Sequence, residues 1–232
     1  MFNFRDVGGY RTAAGRTVRW RRLYRSDSLH ALTEPDREAF EALGIRTVLD
    51  LRRPAEIERD GRVPDWNGLR WHNLYLQHRD WTYAPYRRGT DLARYLADRY
   101  RDMAEESASG LAAAVDLIAD PAAAPLVVHC AAGKDRTGVL CALTLCLLGV
   151  PDDDVTADYA LSSANLRRYL TTVLAENPEY YEPDELPLDT PVEAMRLFLA
   201  ELRAEHGTVE GYLTAAGLPP ARLQHLRNHL LE

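Results

Sequence analysis

Apolar positions along the first 150 residues alternate between short continuous runs and stripes with helical spacing. Short apolar runs predict strands at residues 17–20, 23–25, 45–51, 69–75 and 126–129. Stripes with a period near 3.6 predict helices at residues 34–43, 90–103, 110–119 and 136–148. This alternation of helix and strand predicts an α/β sandwich with a largely parallel central sheet flanked by helices.

Residues typical of helix ends mark several of these boundaries. Thr33 is the predicted N-cap of the first helix, and Gly44 ends it. Thr90 is the predicted N-cap of the next long helix. Gly149 closes the helix that begins at residue 136.

Beyond Pro151 the pattern is almost entirely helical. A proline-rich and acidic interruption covers residues 177–191, and a pair of helices is predicted over residues 208–231. Neither a repeat nor a long linker separates a second domain. We therefore predict one domain spanning residues 1–232, in which a helical elaboration covers residues 151–205.

The composition excludes several classes of protein. The chain is 46% hydrophobic and 9% aromatic, which is ordinary for a packed globular protein. No apolar run approaches the roughly 20 residues of a membrane span, and residues 1–9 do not resemble a signal peptide. We expect a cytoplasmic protein without a stable membrane anchor, although export by another route stays open. The net charge of −7 argues against a general nucleic-acid binder.

The three cysteines, Cys130, Cys141 and Cys146, do not form a pattern typical of disulfides or metal sites. Their odd number in a chain of this size argues against a disulfide framework and fits a reducing compartment. Their spacing provides no cluster of metal ligands, so we expect neither a metal nor a cofactor. Cys141 and Cys146 lie within an apolar helix and are predicted to be inert core residues.

The segment from residue 128 to residue 138 places a cysteine between an apolar strand and an apolar helix. A loop joining a parallel strand to a helix N-terminus directs consecutive backbone N–H groups at one point, where the helix dipole favours an anion. Phosphate is the predicted ligand. The predicted phosphate-binding residues are Ala131, Ala132, Gly133, Lys134, Asp135 and Arg136.

Cys130 and Arg136 are the predicted catalytic residues of this loop. The field at the helix N-terminus favours the thiolate of Cys130, which makes the sulfur a nucleophile. Arg136 can present a planar, bidentate fork to two phosphate oxygens. The Thr137 hydroxyl is placed to hydrogen-bond the sulfur, and His129 is predicted to orient the loop from beneath. This set predicts phosphoryl transfer from a monoester onto Cys130 and then onto water.

Lys134 is the only lysine of the chain, whose other basic residues are all arginines. Its place in the predicted phosphate loop suggests a flexible charge that reaches a second phosphate, without competing for the bidentate position of Arg136. The residue therefore suggests a substrate with additional negative charge.

The loop sequence His-Cys-x-x-Gly-Lys-Asp-Arg-Thr-Gly resembles the cysteine-dependent protein tyrosine phosphatases and looks like the bacterial tyrosine phosphatase B group. Further similar segments, spread over most of the chain, are residues 3–9, 23–26, 44–45, 50–52, 157–159 and 211–213. The resemblance implies the sandwich fold of these phosphatases. It implies activity on phosphotyrosine, with some phosphoserine, phosphothreonine or phosphoinositide activity. It also implies a helical lid over the site, formed by the helices after Pro151 and including Arg167, Arg168 and Tyr169.

The resemblance raises the question of which group protonates the leaving oxygen, because no Trp-Pro-Asp sequence occurs here. Asp135 lies inside the loop and is the first candidate for this general acid. A general acid must first lie within hydrogen-bond reach of the leaving oxygen, and only then is its pKa relevant. Asp80 is the second candidate and Asp50 the third. A solvated loop charge is the alternative reading of Asp80, and a hydrogen-bonded carboxylate at a strand end is that of Asp50.

Three other functions compete with a protein phosphatase. A non-catalytic module would bind a phosphorylated partner through the loop, but the presence of Cys130, Asp135 and Arg136 argues against it. A rhodanese-type sulfurtransferase also uses a loop cysteine, but such loops generally lack the Arg-Thr-Gly helix start. A phosphatase of a small phosphorylated metabolite stays open, alongside phosphorylated proteins and phosphoinositides as substrates.

Overall fold

The computed structural model describes residues 1–66, 68–176 and 189–232. Five strands form one sheet within these ranges, in the order β1-β2-β5-β3-β4. Their bounds are β1 Arg5–Asp6, β2 Leu23–Ser26, β3 Thr47–Asp50, β4 Arg70–Asn73 and β5 Leu126–His129. The strands β2, β5, β3 and β4 are parallel, and only β1 pairs antiparallel with its neighbour. The predicted largely parallel sheet is confirmed.

Helices cover both faces of the sheet. Their bounds are α1 Glu34–Leu43, α2 Pro54–Asp60, α3 Leu92–Glu106, α4 Ala108–Ile118, α5 Asp135–Leu148, α6 Asp152–Glu176, α7 Val192–His206, α8 Val209–Ala215 and α9 Pro220–Leu230. Two short 3₁₀ turns add to them at Trp81–Tyr83 and Pro121–Ala123. The alternation of strand and helix is the α/β architecture that the sequence predicts.

Capping residues mark three of the predicted helix ends. The Thr33 backbone N–H donates to the Asp36 carboxylate at 2.8 Å at the start of α1. Gly44 and Gly149 end α1 and α5 in the left-handed conformation, with φ values of 69° and 82°, which glycine adopts without strain. Both predicted C-terminal caps are confirmed.

Two local predictions are wrong. Residues 17–20 do not form a strand, because Thr17 and Val18 make only isolated bridges, Val18 with Leu231 near the end of the chain. The N-cap of α3 is Asp91 and not Thr90. The Asp91 carboxylate accepts hydrogen bonds from two backbone N–H groups of the first turn, which a hydroxyl on the preceding residue cannot replace.

The central sheet separates two apolar clusters of unequal size. On β5, Leu126 and Val128 face the larger cluster and Val127 faces the smaller one, as the two-residue period of a strand requires. α5 is buried in the larger cluster along nearly its whole length. Since β5 and α5 are both held by the core, the loop between them has rigid ends.

Much of the predicted lid region packs into the body of the fold. Val155 and Tyr159 of α6 are buried, as are Met195 and Phe198 of α7, which packs along α3. Residues 177–188 of the predicted lid lie outside the described residues. The lid and the division of the domain at residues 151–205 stay predictions.

Candidate active site

Residues 130–136, which comprise the loop between β5 and α5 and the first two residues of α5, are called the phosphate loop below. Cys130 lies at its base with 2% of its surface exposed. Gly133 has a φ of 64°, and a Cβ atom there would lie 2.3 Å from the Ser26 carbonyl oxygen. Only glycine fits between the loop and the end of β2, which explains the glycine at this position.

Two side chains bind the carbonyl groups of the phosphate loop from behind. Asn3 Nδ2 donates to the carbonyl oxygens of Ala132 and Gly133 at 3.1 and 3.0 Å. Arg25 Nη2 donates to the carbonyl oxygen of Gly133 at 2.9 Å. Because these carbonyl oxygens already accept hydrogen bonds from Asn3 and Arg25, the geometry fits the predicted anion site at the N–H groups of the loop.

Asp158 ties this arrangement to α6. Its carboxylate accepts from Arg25 Nη1 at 2.5 Å and from Arg5 Nε at 3.0 Å. Burial favours the neutral form of Asp158, but the charges and hydrogen bonds of the two arginines outweigh it, and the pKa of this carboxyl is lowered. Asn3, Arg5, Arg25 and Asp158 are called the rear network below.

Arg136 is held by a carboxylate from α2. Its Nη1 and Nη2 atoms contact the two Glu56 carboxylate oxygens at 2.6 and 2.8 Å, a bidentate pair. Glu56 also accepts from the Arg53 backbone N–H at 2.7 Å. Burial opposes the charge of Glu56, but Arg136 outweighs it and lowers the pKa of the carboxyl. The guanidinium is therefore fixed in orientation before any substrate binds.

A cavity of about 220 Å³ opens in front of the loop. Its lining residues are Arg53, Glu56, His78, Asp80, Trp81, Met103, Asp135 and Arg136. A larger groove of about 770 Å³ runs between α3 and α6, and none of the predicted site residues lines it. Of the predicted site residues, Asp80, Asp135 and Arg136 line the smaller cavity, whereas Cys130 lies buried at the base of the loop and does not line it. The smaller cavity is the candidate active site.

Asp135 is one of the carboxylates of this cavity, and its side chain is 21% exposed. Its Oδ1 atom accepts a hydrogen bond of 2.7 Å from the buried hydroxyl of Tyr100. Asp135 thus combines contact with the cavity and a position inside the phosphate loop. This placement fits the first candidate for the general acid, whose role stays a prediction.

Asp80 lines the same cavity but is poorly suited to donate a proton. Its carboxylate accepts from the Thr82 backbone N–H and from Arg53, and these contacts lower the pKa of Asp80 to about 2. Asp80 is therefore ionised near neutral pH. The geometry matches the alternative reading of Asp80 as a loop charge, and it argues against its candidacy as the general acid.

Asp50 does not line the cavity and is fully buried at the end of β3. Its carboxylate accepts from Arg52 Nε and Nη2 at 3.0 and 2.8 Å and lies 3.5 Å from His129 Nε2. Burial opposes its charge, but the Arg52 contacts prevail and lower the pKa of Asp50. These contacts match the alternative reading of Asp50 as a hydrogen-bonded carboxylate at a strand end, and they argue against its candidacy as the general acid, which stays a prediction.

His129 lies under the loop as predicted. Its Nδ1 atom is 3.1 Å from the Cys130 carbonyl oxygen, and the ring is completely buried. Burial is the main cause that lowers the pKa of His129, so the ring is neutral near pH 7. The contact fits a supporting role for His129, which stays a prediction.

Lys134 of the loop and Thr137, which follows the loop in α5, are both buried. The Lys134 side chain is only 3% exposed, and its Nζ atom lies 3.8 Å from Asp135 Oδ1. Such burial argues against a flexible charge that reaches outward for a second phosphate. Thr137 Oγ1 is buried and makes no hydrogen bond within the described part of the chain. This leaves the Thr137 hydroxyl available to the sulfur of Cys130.

Cys141 and Cys146 lie within α5, away from the cavity. Burial is the main cause that raises the pKa of Cys141 to about 11 and that of Cys146 to about 12. Both thiols are protonated near neutral pH. Cys141 is a buried core residue, as predicted, whereas Cys146 is only partly buried and lines a surface cavity with Arg203. Among the described residues, no group of three or more His, Cys, Asp or Glu side chains is placed to hold a metal ion.

Sequence reasoning missed Glu56, Tyr100 and the contacts of the rear network. Glu56 follows Pro54 and Arg53 in a pattern typical of a helix start, which was available as a signal. Tyr100 sits on an apolar stripe and looks like an ordinary core residue. The segments of the rear network appear in the resemblance, but a sequence alone does not pair residues more than 100 positions apart.

Comparison with known proteins decides the family. All 232 residues match the family described as the tyrosine phosphatase family. The chain belongs to this family. The enzyme is therefore a cysteine-dependent phosphoric monoester hydrolase, and the resemblance found in the loop sequence is confirmed.

The enzyme is similar to several named bacterial proteins. It is 31% identical to the triple specificity protein phosphatase PtpB of Mycobacterium tuberculosis, over 99% of this chain and 96% of that protein. It is 28% identical to a tyrosine-protein phosphatase of Nostoc commune, over 89% of this chain and 73% of the relative. A solved structure, the core catalytic domain of the PP-IP phosphatase SIW14 from S. cerevisiae, aligns with a TM-score of 0.42 at 19% identity. That alignment covers 79% of this chain and 88% of the yeast one.

No helix in residues 1–66, 68–176 and 189–232 is both long and apolar enough to cross a membrane.

Proposed function

We propose that the enzyme dephosphorylates proteins at phosphotyrosine, and also accepts phosphoserine, phosphothreonine and phosphoinositides. The reaction runs through a phosphocysteine at Cys130, with Asp135 as general acid. One observation carries this proposal: the phosphate loop has its carbonyls bound from behind, with Arg136 and Asp135 together at the cavity in front. The name of the similar triple specificity phosphatase supports the breadth of substrates.

In the first step, the Cys130 thiolate attacks phosphorus while the bond to the leaving oxygen breaks. The N–H groups of the loop and the Arg136 guanidinium hold the phosphoryl oxygens, which stabilises charge in the transition state. Asp135 gives its proton to the leaving oxygen, so that a neutral alcohol or phenol departs. Glu56 keeps the guanidinium aligned through the bidentate pair.

In the second step, water attacks the phosphocysteine. The Asp135 carboxylate takes a proton from that water, the sulfur leaves as a thiolate, and inorganic phosphate is released. The Thr137 hydroxyl is placed to hydrogen-bond the departing sulfur. The enzyme returns to its starting protonation state, with Asp135 neutral and Cys130 ionised.

The cavity supports an aromatic ester as substrate. The side chains of Trp81 and Met103 provide an apolar wall beside the phosphate loop, where the ring of a phosphotyrosine can lie. Arg53 supplies positive charge at the same cavity. A small phosphorylated metabolite, the competing substrate class, gains less from the apolar wall.

The decisive experiment compares kcat/KM over phosphotyrosine peptides, phosphoserine peptides, phosphoinositides and sugar phosphates. We expect phosphotyrosine peptides to rank first, with measurable phosphoinositide and phosphoserine activity. A clear preference for a sugar phosphate would overturn the proposed substrate class.

Two variants test the mechanism. Cys130→Ser is expected to abolish turnover while leaving the binding of orthovanadate largely intact, because a hydroxyl is a far weaker nucleophile in this loop. Asp135→Asn is expected to lower kcat on phenyl phosphate by at least about a hundredfold. EDTA is expected to leave activity unchanged, since the loop supplies the positive charge. Near wild-type turnover by Cys130→Ser contradicts the mechanism.

We also propose that the enzyme acts in the cytoplasm as one domain. Reducing surroundings protect a catalytic thiolate from oxidation, and all three cysteines are free thiols. Fractionation of the source cells with an antibody against the enzyme tests the location. Recovery in an oxidising compartment would contradict it.

A further inference from the structure

Two buried tyrosine hydroxyls stand in line behind Asp135. The Tyr100 hydroxyl donates to Asp135 Oδ1 at 2.7 Å and lies 2.5 Å from the hydroxyl of Tyr159. A phenol hydroxyl has one hydrogen to donate, and an ionised carboxylate only accepts. When Tyr100 donates to Asp135, its oxygen must accept the hydrogen of Tyr159. The hydrogen bonds therefore run in one direction, from Tyr159 through Tyr100 to Asp135.

Both phenols stay neutral throughout the reaction. Burial, reinforced by the negative charge of Asp135, raises the pKa of Tyr100 and of Tyr159 well above the usual range. Neither hydroxyl can therefore take part as a proton donor to substrate. Their action is limited to hydrogen bonding.

The Tyr100 ring has little freedom to move. It contacts the rings of Trp81, Tyr159 and Phe198 with centroid distances of 6.3, 5.9 and 6.1 Å, and the last two contacts are edge to face. The ring is fully buried. The direction of the Tyr100 hydroxyl is thus set by packing and does not depend on substrate.

Two neighbouring groups lie close to the same oxygen of Asp135, Oδ1. Besides the Tyr100 hydroxyl, the ammonium of Lys134 lies 3.8 Å from Oδ1. Both contacts favour lone pairs and negative charge on Oδ1, which leaves Oδ2 as the oxygen that carries the proton of the neutral acid.

We propose that Tyr100 is a positioning residue that assigns the acidic proton of Asp135 to Oδ2 and aims it at the leaving oxygen, with Tyr159 fixing the direction of the Tyr100 hydroxyl. This inference rests on the proposed role of Asp135 as general acid. As the P–O bond breaks and the S–P bond forms, the Oδ2 proton moves to the leaving oxygen. The new carboxylate keeps its hydrogen bond to Tyr100. Water later returns a proton to Asp135.

The test uses leaving groups of different strength. Phenyl phosphate needs a proton on its leaving oxygen, whereas p-nitrophenyl phosphate depends on it much less. Tyr100→Phe removes only the hydroxyl. It is expected to lower kcat on phenyl phosphate on the order of tenfold, the effect of losing a hydrogen bond to a charged group, with a much smaller loss on p-nitrophenyl phosphate. The readout is the ratio of kcat on phenyl phosphate to kcat on p-nitrophenyl phosphate, and this ratio is expected to fall.

Tyr159→Phe tests the second link of the chain. It is expected to lower the same ratio to a smaller extent, and to add nothing further in the Tyr100→Phe background, because it acts through Tyr100. Should Tyr100→Phe fail to fold, Tyr159→Phe alone carries the test. An unchanged ratio in Tyr159→Phe would then overturn the inference.

Tyr212→Phe is the matched control. The buried hydroxyl of Tyr212 donates to the Ala104 carbonyl at 2.6 Å, away from the cavity. Its loss is expected to lower stability without moving the ratio. An equal fall of the ratio in this control would overturn the inference, because general loosening would then explain it.

Asp135→Asn distinguishes a failure of the positioning role of Tyr100 from a failure of the proposed general acid. If Asp135→Asn loses phenyl phosphate activity selectively and Tyr100→Phe does not, the positioning role is refuted and the proposed function stands. If Asp135→Asn leaves the ratio unchanged, the general acid itself is misassigned and the proposed mechanism fails. Thermal unfolding of every variant confirms that the compared enzymes are folded.

Discussion

Two arginine–aspartate pairs flank the phosphate loop, and they differ in burial. In the rear network, the side chains of Arg25 and Asp158 are 0% and 2% exposed. In front, Arg53 and Asp80, called the front pair below, are 26% and 54% exposed. The rear pair is bonded to the loop backbone through Arg25, whereas the front pair borders the cavity.

The difference teaches how one interaction type serves two purposes. A buried charge without its partner is strongly destabilising, so the rear pair holds one arrangement of the loop carbonyls. An exposed pair contributes little to stability and is screened by salt, so the front pair can rearrange when a substrate enters. The rear pair thus sets the shape of the phosphate loop, and the front pair affects access to the cavity.

Breaking the rear pair is expected to have the largest effect. Asp158→Asn leaves the buried Arg25 guanidinium without its countercharge, which is expected to lower the free energy of unfolding by about 3–5 kcal/mol. Denaturant unfolding measures the change, and orthovanadate binding measures the loss of loop shape. Asp80→Asn is the matched control on the front pair. Equal losses for the two variants would refute the comparison.

Asn3→Ala removes the two hydrogen bonds to the loop carbonyls without deleting a charged side chain, and it also removes the acceptor of Arg5 Nη1 and Asn165 Nδ2. Leaving the carbonyls of Ala132 and Gly133 without these donors is expected to cost about 1–3 kcal/mol of stability and to weaken orthovanadate binding. Asn73 is a close control, because its Nδ2 atom also donates to two backbone carbonyls, outside the loop. Asn73→Ala should lower stability but spare orthovanadate affinity, and weaker affinity in both variants would contradict the assignment.

Glu56→Gln tests the alignment of Arg136 by removing one charge and keeping the shape. The guanidinium then loses its ionic bidentate partner, and kcat/KM is expected to fall about tenfold, the factor that corresponds to one charge-assisted hydrogen bond. Glu58→Gln on the exposed side of α2 is the control and should leave kcat/KM unchanged. Full activity of Glu56→Gln would show that the loop aligns Arg136 without it.

The smallest expected effect belongs to the front pair. Asp80→Asn should change the free energy of unfolding by about 1 kcal/mol or less. Because the pKa of Asp80 is lowered to about 2 from an unfolded value of about 3.9, its contribution is present above the unfolded value and disappears as pH falls through the folded one. The free energy of unfolding of Asp80→Asn should therefore fall less than that of the wild type as the pH is lowered from about 4 to about 2. If the stabilities of Asp80→Asn and the wild type change in parallel with pH over this range, the contribution assigned to ionised Asp80 is refuted.

The parts of the fold that the sequence predicts well are those with a strong periodic pattern. The apolar run of β5, the apolar helix α5 and the closing Gly149 specify the strand, loop and helix of the site within a few residues. The seven-residue helix α2 has no buried residue, so the sequence contains no apolar stripe that would predict it. The two-residue strand β1 is too short for alternation to show.

The parts of the site that the sequence does not predict depend on contacts between distant segments. Cys130 and Arg136 are found because one loop carries both. Asp158 reaches Arg25 across 133 positions, and Tyr100 reaches Tyr159 across 59. Such pairs depend on how whole helices pack against the sheet, and this packing cannot be predicted from a local sequence pattern.

The burial of Lys134 has a practical consequence for chemical labelling. The chain carries one lysine, and it lies inside the phosphate loop with 3% of its side chain exposed. Amine-reactive reagents therefore meet the Lys134 ammonium only when the loop opens, and mass-spectrometric detection of acylation at this residue reports that opening without any substrate. Attachment to an amine-reactive surface through this residue would disable each molecule that it captures.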